Sequence, residues 1–202
     1  MKKIDYKKEL SVLYKAASNP VFIDVPKLNY LMIEGVGDPN TSVDYKNAVE
    51  ALYPVAYTIK FMIKKNKDID YGVMPLEGLW WVDDMTKFSV DDKKSWKWNS
   101  MIMQPEIITK EHFKKAIEIV KEKKDLAAID KIKFETYNER KCAQILHTGP
   151  FSEEGPTIQT LHNFISESGY KKSGKHHEIY LSDIRKAAPE KWKTIIRQPI
   201  SK

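Results

Sequence analysis

The sequence is poor in cysteine and contains no long apolar run. A single cysteine among 202 residues, Cys142, excludes an internal disulfide framework and fits a reducing compartment. No window approaches the apolar length that spans a membrane, and the first residues include no apolar signal region. We therefore expect a cytoplasmic protein without a membrane partner.

The sequence also lacks a block of like charge, although its formal net charge is +6. The lysines are scattered, as on solvated surfaces, and do not form a nucleic-acid-binding arm. Aromatic residues on predicted strands could stack on single-stranded bases, but only Lys97 is interleaved with them. We expect no nucleic-acid partner and no DNA-binding segment at either end, which argues against a one-chain transcription regulator.

Neither a metal nor a cofactor is expected. His176 and His177 are a pair that could invite a metal, but adjacent strand residues point to opposite faces. No Cys, His or Asp follows at ligand spacing. Cys142 has no obvious base in its motif and is interpreted as a small buried residue.

The stretch from His176 to Asp183 reads as a short strand that ends at Ser-Asp. Alternation places His176, Glu178 and Tyr180 on one face. The other face carries His177, Ile179 and Leu181, is mostly apolar, and is expected to pack on a helix. An acid and a phenol on one face favour a pocket. The alternative is a surface face with Glu178 in water.

The order of predicted elements repeats along the chain. A lead-in, residues 1–27, contains an amphipathic helix from Asp5 to Ala17, and residues 28–202 form a single domain. The repeats, about 28–105 and 132–200, each read strand, capped helix, strand, strand. The predicted segments are Leu28 to Glu34, a helix behind Thr41 that Pro54 kinks or breaks, Tyr71 to Asp83, a charged loop from Asp84 to Lys94, Trp96 to Met103, a helix capped by Thr109, Ile132 to Tyr137, Lys141 to His147, a helix from Gly155, and Lys193 to Ile200.

This order predicts an α+β fold of two strand–helix–strand–strand repeats related by a pseudo-twofold axis. An aromatic ligand cleft is expected between them. Glu77 occupies the place in the first repeat that Glu178 occupies in the second, and Gly78 beside it suggests a bulge that could turn Glu77 inward or outward.

Four motifs in this order resemble the GyrI-like small-molecule-binding domain proteins. The motifs are Pro75 to Trp81, Trp96 to Pro105, His147 to Phe151, and His176 to Asp183 together with Lys193 to Pro199. The likeness covers about Leu28 to Ile200 and is closest to a stand-alone branch associated with hydrolysis of cyclopropanoid DNA-alkylating toxins. The chain departs from the expected pattern at Phe151, where a tyrosine is expected, and at Ile184, where proline is expected.

The resemblance implies an aromatic cleft with an acid inside, and Glu178 matches that acid. We expect Glu178 to be a general base whose pKa is raised by a low-polarity cleft, and Tyr180 to position water, carboxylate or substrate. Opening a cyclopropane joined to a dienone needs a positioned water, a weak base and a donor for the developing phenolate. The candidate ligand-binding residues are Glu77, Trp80, Trp98, Tyr71, Tyr137, Phe151 and His147.

Some of these candidates have ordinary alternatives. Each tryptophan could be a core residue, and His147 could be a satisfied structural histidine. Three functions stay open: a hydrolase of cyclopropanoid genotoxins, a drug-sequestering or sensing protein without turnover, and a modulator of a topoisomerase. In the first two the partner is a flat aromatic or cationic small molecule. The sequence leaves a protein partner unknown.

Overall fold

A computed structural model describes residues 1–87 and 92–202 of the chain. The helices are α1 (Tyr6–Glu9), α2 (Ser11–Tyr14), α3 (Val43–Lys67), α4 (Lys110–Lys123) and α5 (Gly155–Glu167). The strands are β1 (Lys2–Ile4), β2 (Val21–Val36), β3 (Ile69–Tyr71), β4 (Leu76–Trp81), β5 (Lys97–Gln104), β6 (Lys133–Thr148), β7 (Lys171–Lys172), β8 (His176–Tyr180) and β9 (Lys193–Ser201). Within the described residues, no helix combines the length and the apolar character that a membrane crossing requires.

The predicted α+β class is confirmed. Strand, helix, strand, strand occurs first as β2, α3, β4 and β5, and again as β6, α5, β8 and β9. The chain forms two compact units. Unit 1 contains Met1–Tyr6, Leu28–Met74 and Trp80–Tyr137, and unit 2 contains Lys7–Lys27, Pro75–Leu79 and Asn138–Lys202. Most of the predicted lead-in is therefore part of unit 2.

Unit 1 is built around α3. Ser42 precedes this helix, and its side chain caps the first turn by accepting a hydrogen bond from the Tyr45 N–H. One face of α3 is fully buried and carries small and aliphatic residues, namely Ala48, Ala51, Leu52, Val55, Ala56, Ile59 and Ile63. This face packs near β5, which pairs antiparallel with β2 from Asn29 to Val36. Thr109 begins α4 with a capping box that includes His112, so the predicted cap is confirmed.

Unit 2 is built around β9, which pairs antiparallel with β6, β7 and β8. Its core joins alternate residues of β6 and β9 to one stripe of α5: Ala143, Ile145, Ile196, Ile200, Leu161 and Ile165. Phe22 of β2 packs at the edge of this core against Phe164 and Tyr170. β9, the strand that pairs with β8, therefore contributes to a close-packed core.

Three element predictions differ from the structure. The predicted helix from Asp5 to Ala17 is interrupted at Leu10, whose ψ of 36° is not helical. β2 begins at Val21, before the predicted start at Leu28, and runs through Pro26. β6 is one strand instead of two, and Arg140 adopts a left-handed φ of 67° where the gap was expected.

The helix α3 continues through Pro54 without the predicted break. The charged loop expected from Asp84 to Lys94 falls partly on residues 88–91, outside the described residues.

Candidate functional site

Glu178 is held by two donors from its own strand. His176 Nε2 lies 3.1 Å from Glu178 Oε1, and the Tyr180 hydroxyl donates to Oε2 at 2.7 Å. The three residues alternate along β8, so their side chains emerge on one face, as the sequence predicted. The Glu178 side chain is 13% exposed. It is neither the fully solvated acid of the surface alternative nor a sealed core group.

The predicted rise of the Glu178 pKa is wrong. Burial acts to raise this pKa, but the hydrogen bond and charge of His176, the bond from Tyr180 and the charge of His177 outweigh burial, and the pKa is lowered. Glu178 is therefore an ionised carboxylate at neutral pH. Such a group attracts cations and acts as a weak base that is already deprotonated.

Aromatic rings lie next to Tyr180, which donates to Glu178. The ring of Phe151, in the short 3-10 turn Phe151–Glu153, meets Tyr180 edge-on with centroids 5.5 Å apart. Phe151 also lies 5.0 Å from the Trp192 ring, whose indole N–H donates to the Ala187 carbonyl. Phe151 is 39% exposed, so this ring cluster has an open side. Apolar rings beside an ionised acid form a surface that suits a flat ligand with positive character.

The two faces of β8 have different surroundings. Glu178 lies across from Ile196 of β9, which packs on α5. The helix α5 therefore lies on the face of β8 that carries Glu178. His177 points the other way and is fully buried. Its Nε2 lies 2.9 Å from Glu77 Oε2, and its Nδ1 lies 2.9 Å from Glu139 Oε1. This face therefore combines the buried, apolar Ile179 with a histidine that lies between two carboxylates.

A chain of polar contacts extends this buried cluster. Arg197 donates to Glu139 Oε2 at 3.2 Å and to the Leu13 carbonyl at 2.6 Å. The Tyr14 hydroxyl donates to Glu77 Oε1 at 2.7 Å. The two carboxylates, the guanidinium and the imidazolium balance in charge, and α2 covers them with hydrogen-bonding groups. This arrangement satisfies the costly buried charges and is a structural centre of unit 2.

The electrostatics of the buried cluster fix its protonation. Burial acts to lower the pKa of His177, but Glu139 and Glu77 raise it to about 9. Burial acts to raise the pKa of Glu139, and His177 and Arg197 together lower it. His177 is therefore a cation at neutral pH that donates to both carboxylates. With both nitrogens protonated and engaged, the ring has no lone pair for a metal or for proton abstraction.

Both predicted ligand-binding tryptophans, Trp80 and Trp98, lie in the interior of unit 1. Trp80 and Trp98 are 3% and 1% exposed. Both rings pack against Tyr45 of α3, at 5.6 Å and 5.1 Å between centroids, and Trp80 also lies 5.6 Å from Trp96. These contacts match the core alternative for both residues, while their role in ligand binding stays a prediction.

The remaining candidates are spread over both units. Tyr71 of unit 1 is buried and meets Tyr6 edge-on at 5.7 Å, and Tyr137 of unit 1 is half-buried on β6. His147 of unit 2 is 5% exposed, and its two nitrogens lie 2.9 Å from the Thr157 hydroxyl and 3.2 Å from the Pro150 carbonyl. His147 thus anchors the loop that carries Phe151 to the start of α5.

The structure brings together three of the predicted residues, Glu178, Tyr180 and Phe151. It adds His176 and Trp192, which the sequence did not assign to the site. Alternation along the strand could have identified His176, since it placed that residue on the Glu178 face. Trp192 is distant in sequence, and only its packing against Phe151 reveals it. Among the described residues, no group of three or more acidic, histidine or cysteine side chains is arranged to hold a metal ion.

Comparisons with known proteins agree with this architecture. The family model of the GyrI-like small molecule binding domain matches residues 18–201. None of the curated proteins matches the chain. An uncharacterized conserved protein from Listeria innocua is 43% identical, with a TM-score of 0.90 over 98% of this chain and 100% of that one. Two structures described as hydrolases from Listeria innocua are also similar to this chain.

The first of these hydrolases is 42% identical, with a TM-score of 0.87 over 99% of this chain and 100% of that one. The second is 40% identical, with a TM-score of 0.85 over 98% of this chain and 100% of that one. The EcmrR C-terminal domain, 13% identical with a TM-score of 0.57 over 91% of this chain and 98% of that one, shares the fold. The chain therefore belongs to the GyrI-like small-molecule-binding domain family.

Proposed function

We propose that this protein binds flat aromatic or cationic small molecules and hydrolyses cyclopropanoid genotoxins by adding water. The observation that carries the proposal is a mostly buried, ionised Glu178 that is fixed by two donors and lies beside the Tyr180, Phe151 and Trp192 rings. The two Listeria structures described as hydrolases support it, because they match nearly the whole chain at 40% and 42% identity.

In the proposed step, Glu178 accepts a proton from water as the water oxygen bonds to the cyclopropane carbon. The carbon–carbon bond of the strained ring breaks, and its electron pair moves through the dienone to the carbonyl oxygen, which becomes a phenolate. The proton on Glu178 then leaves to solvent and the phenolate takes one up, so the net reaction consumes one water. The lowered pKa of Glu178 makes it a weak base, which suffices because the strained ring is already electrophilic.

Each residue of the site has a separate role in the proposed reaction. Glu178 accepts the proton, and the Tyr180 hydroxyl holds the carboxylate in place. Phe151 and Trp192 offer ring faces on which a flat substrate stacks. Phe151 supplies no hydroxyl, so donation to the developing phenolate falls to another group or to water.

The test incubates the protein with a cyclopropanoid toxin in ¹⁸O-labelled water and follows the ring-opened, hydrated product by mass spectrometry. The wild type should form product that carries the label. Glu178→Gln should lower the rate by roughly 100-fold or more, the usual contribution of acid–base catalysis, while binding remains measurable by tryptophan fluorescence. Glu190→Gln, at an exposed position of the same unit, serves as the matched control and should keep full turnover.

A second candidate function is drug sequestration or sensing without chemistry. It is favoured by the ionised state of Glu178, because an anion beside aromatic rings is also what a cation-binding site needs. Wild-type protein that binds the toxin but never forms the hydrated product would establish this alternative. Unlabelled product would exclude water as the nucleophile.

A further inference from the structure

We propose that His176 is a positioning residue that fixes the Glu178 carboxylate by donating its Nε2 proton to Oε1, while Tyr180 fixes Oε2. The inference rests on the proposed function, because it assigns His176 a task in the same site. It assigns a role to a residue that sequence analysis placed on the Glu178 face and otherwise weighed only as a metal ligand. His176 acts through Glu178 and is not itself a base in this proposal.

The geometry supports a clamp with one donor for each oxygen. The distances are 3.1 Å from His176 Nε2 to Oε1 and 2.7 Å from the Tyr180 hydroxyl to Oε2. A carboxylate has about four acceptor positions, so two such bonds leave about two positions for water and ligand. With one donor on each side, the carboxylate cannot rotate without breaking a bond.

Burial makes the His176 bond strong. His176 is 3% exposed, and water therefore competes little for its Nε2 proton. The neighbouring residues of β8 pair with β9 in a fixed register, from His177 opposite Arg197 to Tyr180 opposite Thr194. The backbone thus presents His176 to Glu178 from a regular strand, which positions a side chain more precisely than a loop does.

The groups that act on Glu178 can be separated. The titratable groups that act on Glu178 include His176, Tyr180 and, through charge alone, His177, and His162 of α5 interacts in turn with His176 through charge. The residue opposite Glu178 on β9 is Ile196, and the ring that meets Tyr180 from the 3-10 turn is Phe151, so these two contribute no charge. Burial opposes ionisation of Glu178, and His176 is the largest opposing influence. Its loss should therefore be visible in the titration of Glu178.

The experiment compares His176→Phe, which removes the donor, with His176→Gln, whose side-chain amide can still donate. The carboxyl ¹³C resonance of Glu178, assigned with Glu178→Gln, is titrated by NMR, and the pH dependence of kcat/KM is measured on the same proteins. In His176→Phe the titration midpoint and the acidic limb should both move up by about one pH unit or more. In His176→Gln, which keeps a donor but not the charge of the ring, both should move up clearly less than in His176→Phe. His112→Gln, at the start of α4 in unit 1, is the control and should leave them unchanged, because glutamine also suits this position of the capping box.

The proposal is overturned if His176→Phe titrates like the wild type, or if His176→Gln shifts as far as His176→Phe. A merely structural role would lower activity at every pH without moving the midpoint. One measurement does not depend on whether a variant folds. In ¹⁵N NMR of the wild type, a neutral His176 ring protonated on Nδ1 would overturn the proposal, because Nε2 would then have no proton to donate.

The outcome is distinguishable from failure of the proposed function. If the Glu178 midpoint shifts as expected but no protein forms hydrated product, the hydrolase proposal fails while the positioning of Glu178 by His176 stands. If hydrated product forms but the Glu178 midpoint does not move in His176→Phe, the hydrolase proposal stands and the positioning role of His176 fails.

Discussion

Gly35 lies on β2 directly opposite Trp98 of β5. The indole ring of Trp98 covers this glycine so closely that an added Cβ would lie 2.2 Å from Trp98 Cζ2. Trp98 is 1% exposed and packed against Tyr45, so it has little room to move. The absence of a side chain at residue 35 is therefore what allows the tryptophan to pack flat on the strand.

At the residue scale we predict that Gly35→Ala destabilises the protein by about 1 to 3 kcal/mol, the usual cost of overpacking a core. Urea denaturation followed by circular dichroism measures this change. Gly72→Ala is the matched control, because an added Cβ there meets no atom within 4 Å. Equal stabilities of the two variants would show that the Trp98 ring can shift freely.

His177 shows why one side chain of the pair His176-His177 could be interpreted from sequence and the other could not. His176 interacts with Glu178, two residues away, so strand alternation alone places them together. His177 interacts with Glu77 and Glu139, which are 100 and 38 residues away. No local pattern encodes these partners. The sequence could therefore indicate the Glu178 site but could not reveal the buried cluster behind it.

At the element scale, capping signals located the start of α3 to within one residue and the start of α4 at the predicted residue. Thr109 caps α4 as predicted, whereas the cap of α3 is Ser42, one residue after the predicted Thr41, and each side chain accepts a hydrogen bond from a backbone N–H in the first turn. Element bounds were less predictable where tertiary pairing dominates. β6 was expected as two strands, yet it is one strand that pairs with β9 from Cys142 to Thr148 and includes Arg140 at a left-handed φ.

The cap of α3 gives a prediction at this scale. Ser42→Ala removes the hydroxyl that accepts from the Tyr45 N–H at 3.2 Å and should destabilise the protein by about 1 kcal/mol. Urea denaturation checks the size of the effect. Thr41→Ala, at the exposed neighbouring position, should change stability much less. A loss as large in Thr41→Ala as in Ser42→Ala would contradict a specific capping role.

At the scale of the whole molecule, the order of elements and the family could be predicted because they depend on local patterns repeated along the chain. The assignment of segments to compact units could not. Residues 75–79 lie in the middle of the first sequence repeat but belong to unit 2, where Glu77 meets Tyr14 and His177. Burial of complementary charges decides this grouping, and such complementarity becomes visible only once distant segments are placed together.

The same cluster makes the stability of the folded chain depend on pH. His177 has a pKa of about 9 in the folded protein, against an ordinary value of 6.5. A raised pKa means that the folded state holds the proton more tightly than the unfolded state does. The stabilisation is therefore complete below about pH 6.5 and is lost as the pH rises through about 9.

We predict that the free energy of unfolding falls by up to about 3 kcal/mol between pH 6.5 and 9 in the wild type. In His177→Gln, which cannot gain a proton, this decline should largely disappear, although the variant is less stable at pH 6.5. Urea denaturation at several pH values measures both curves. Cys142 also has a raised pKa, through burial, but an unfolded thiol titrates near 9, so its contribution falls above this window. If the stability of the two proteins fell equally with pH, His177 would not be the group that loses its proton in this range. The imidazolium between Glu77 and Glu139 would then not be the source of the pH dependence.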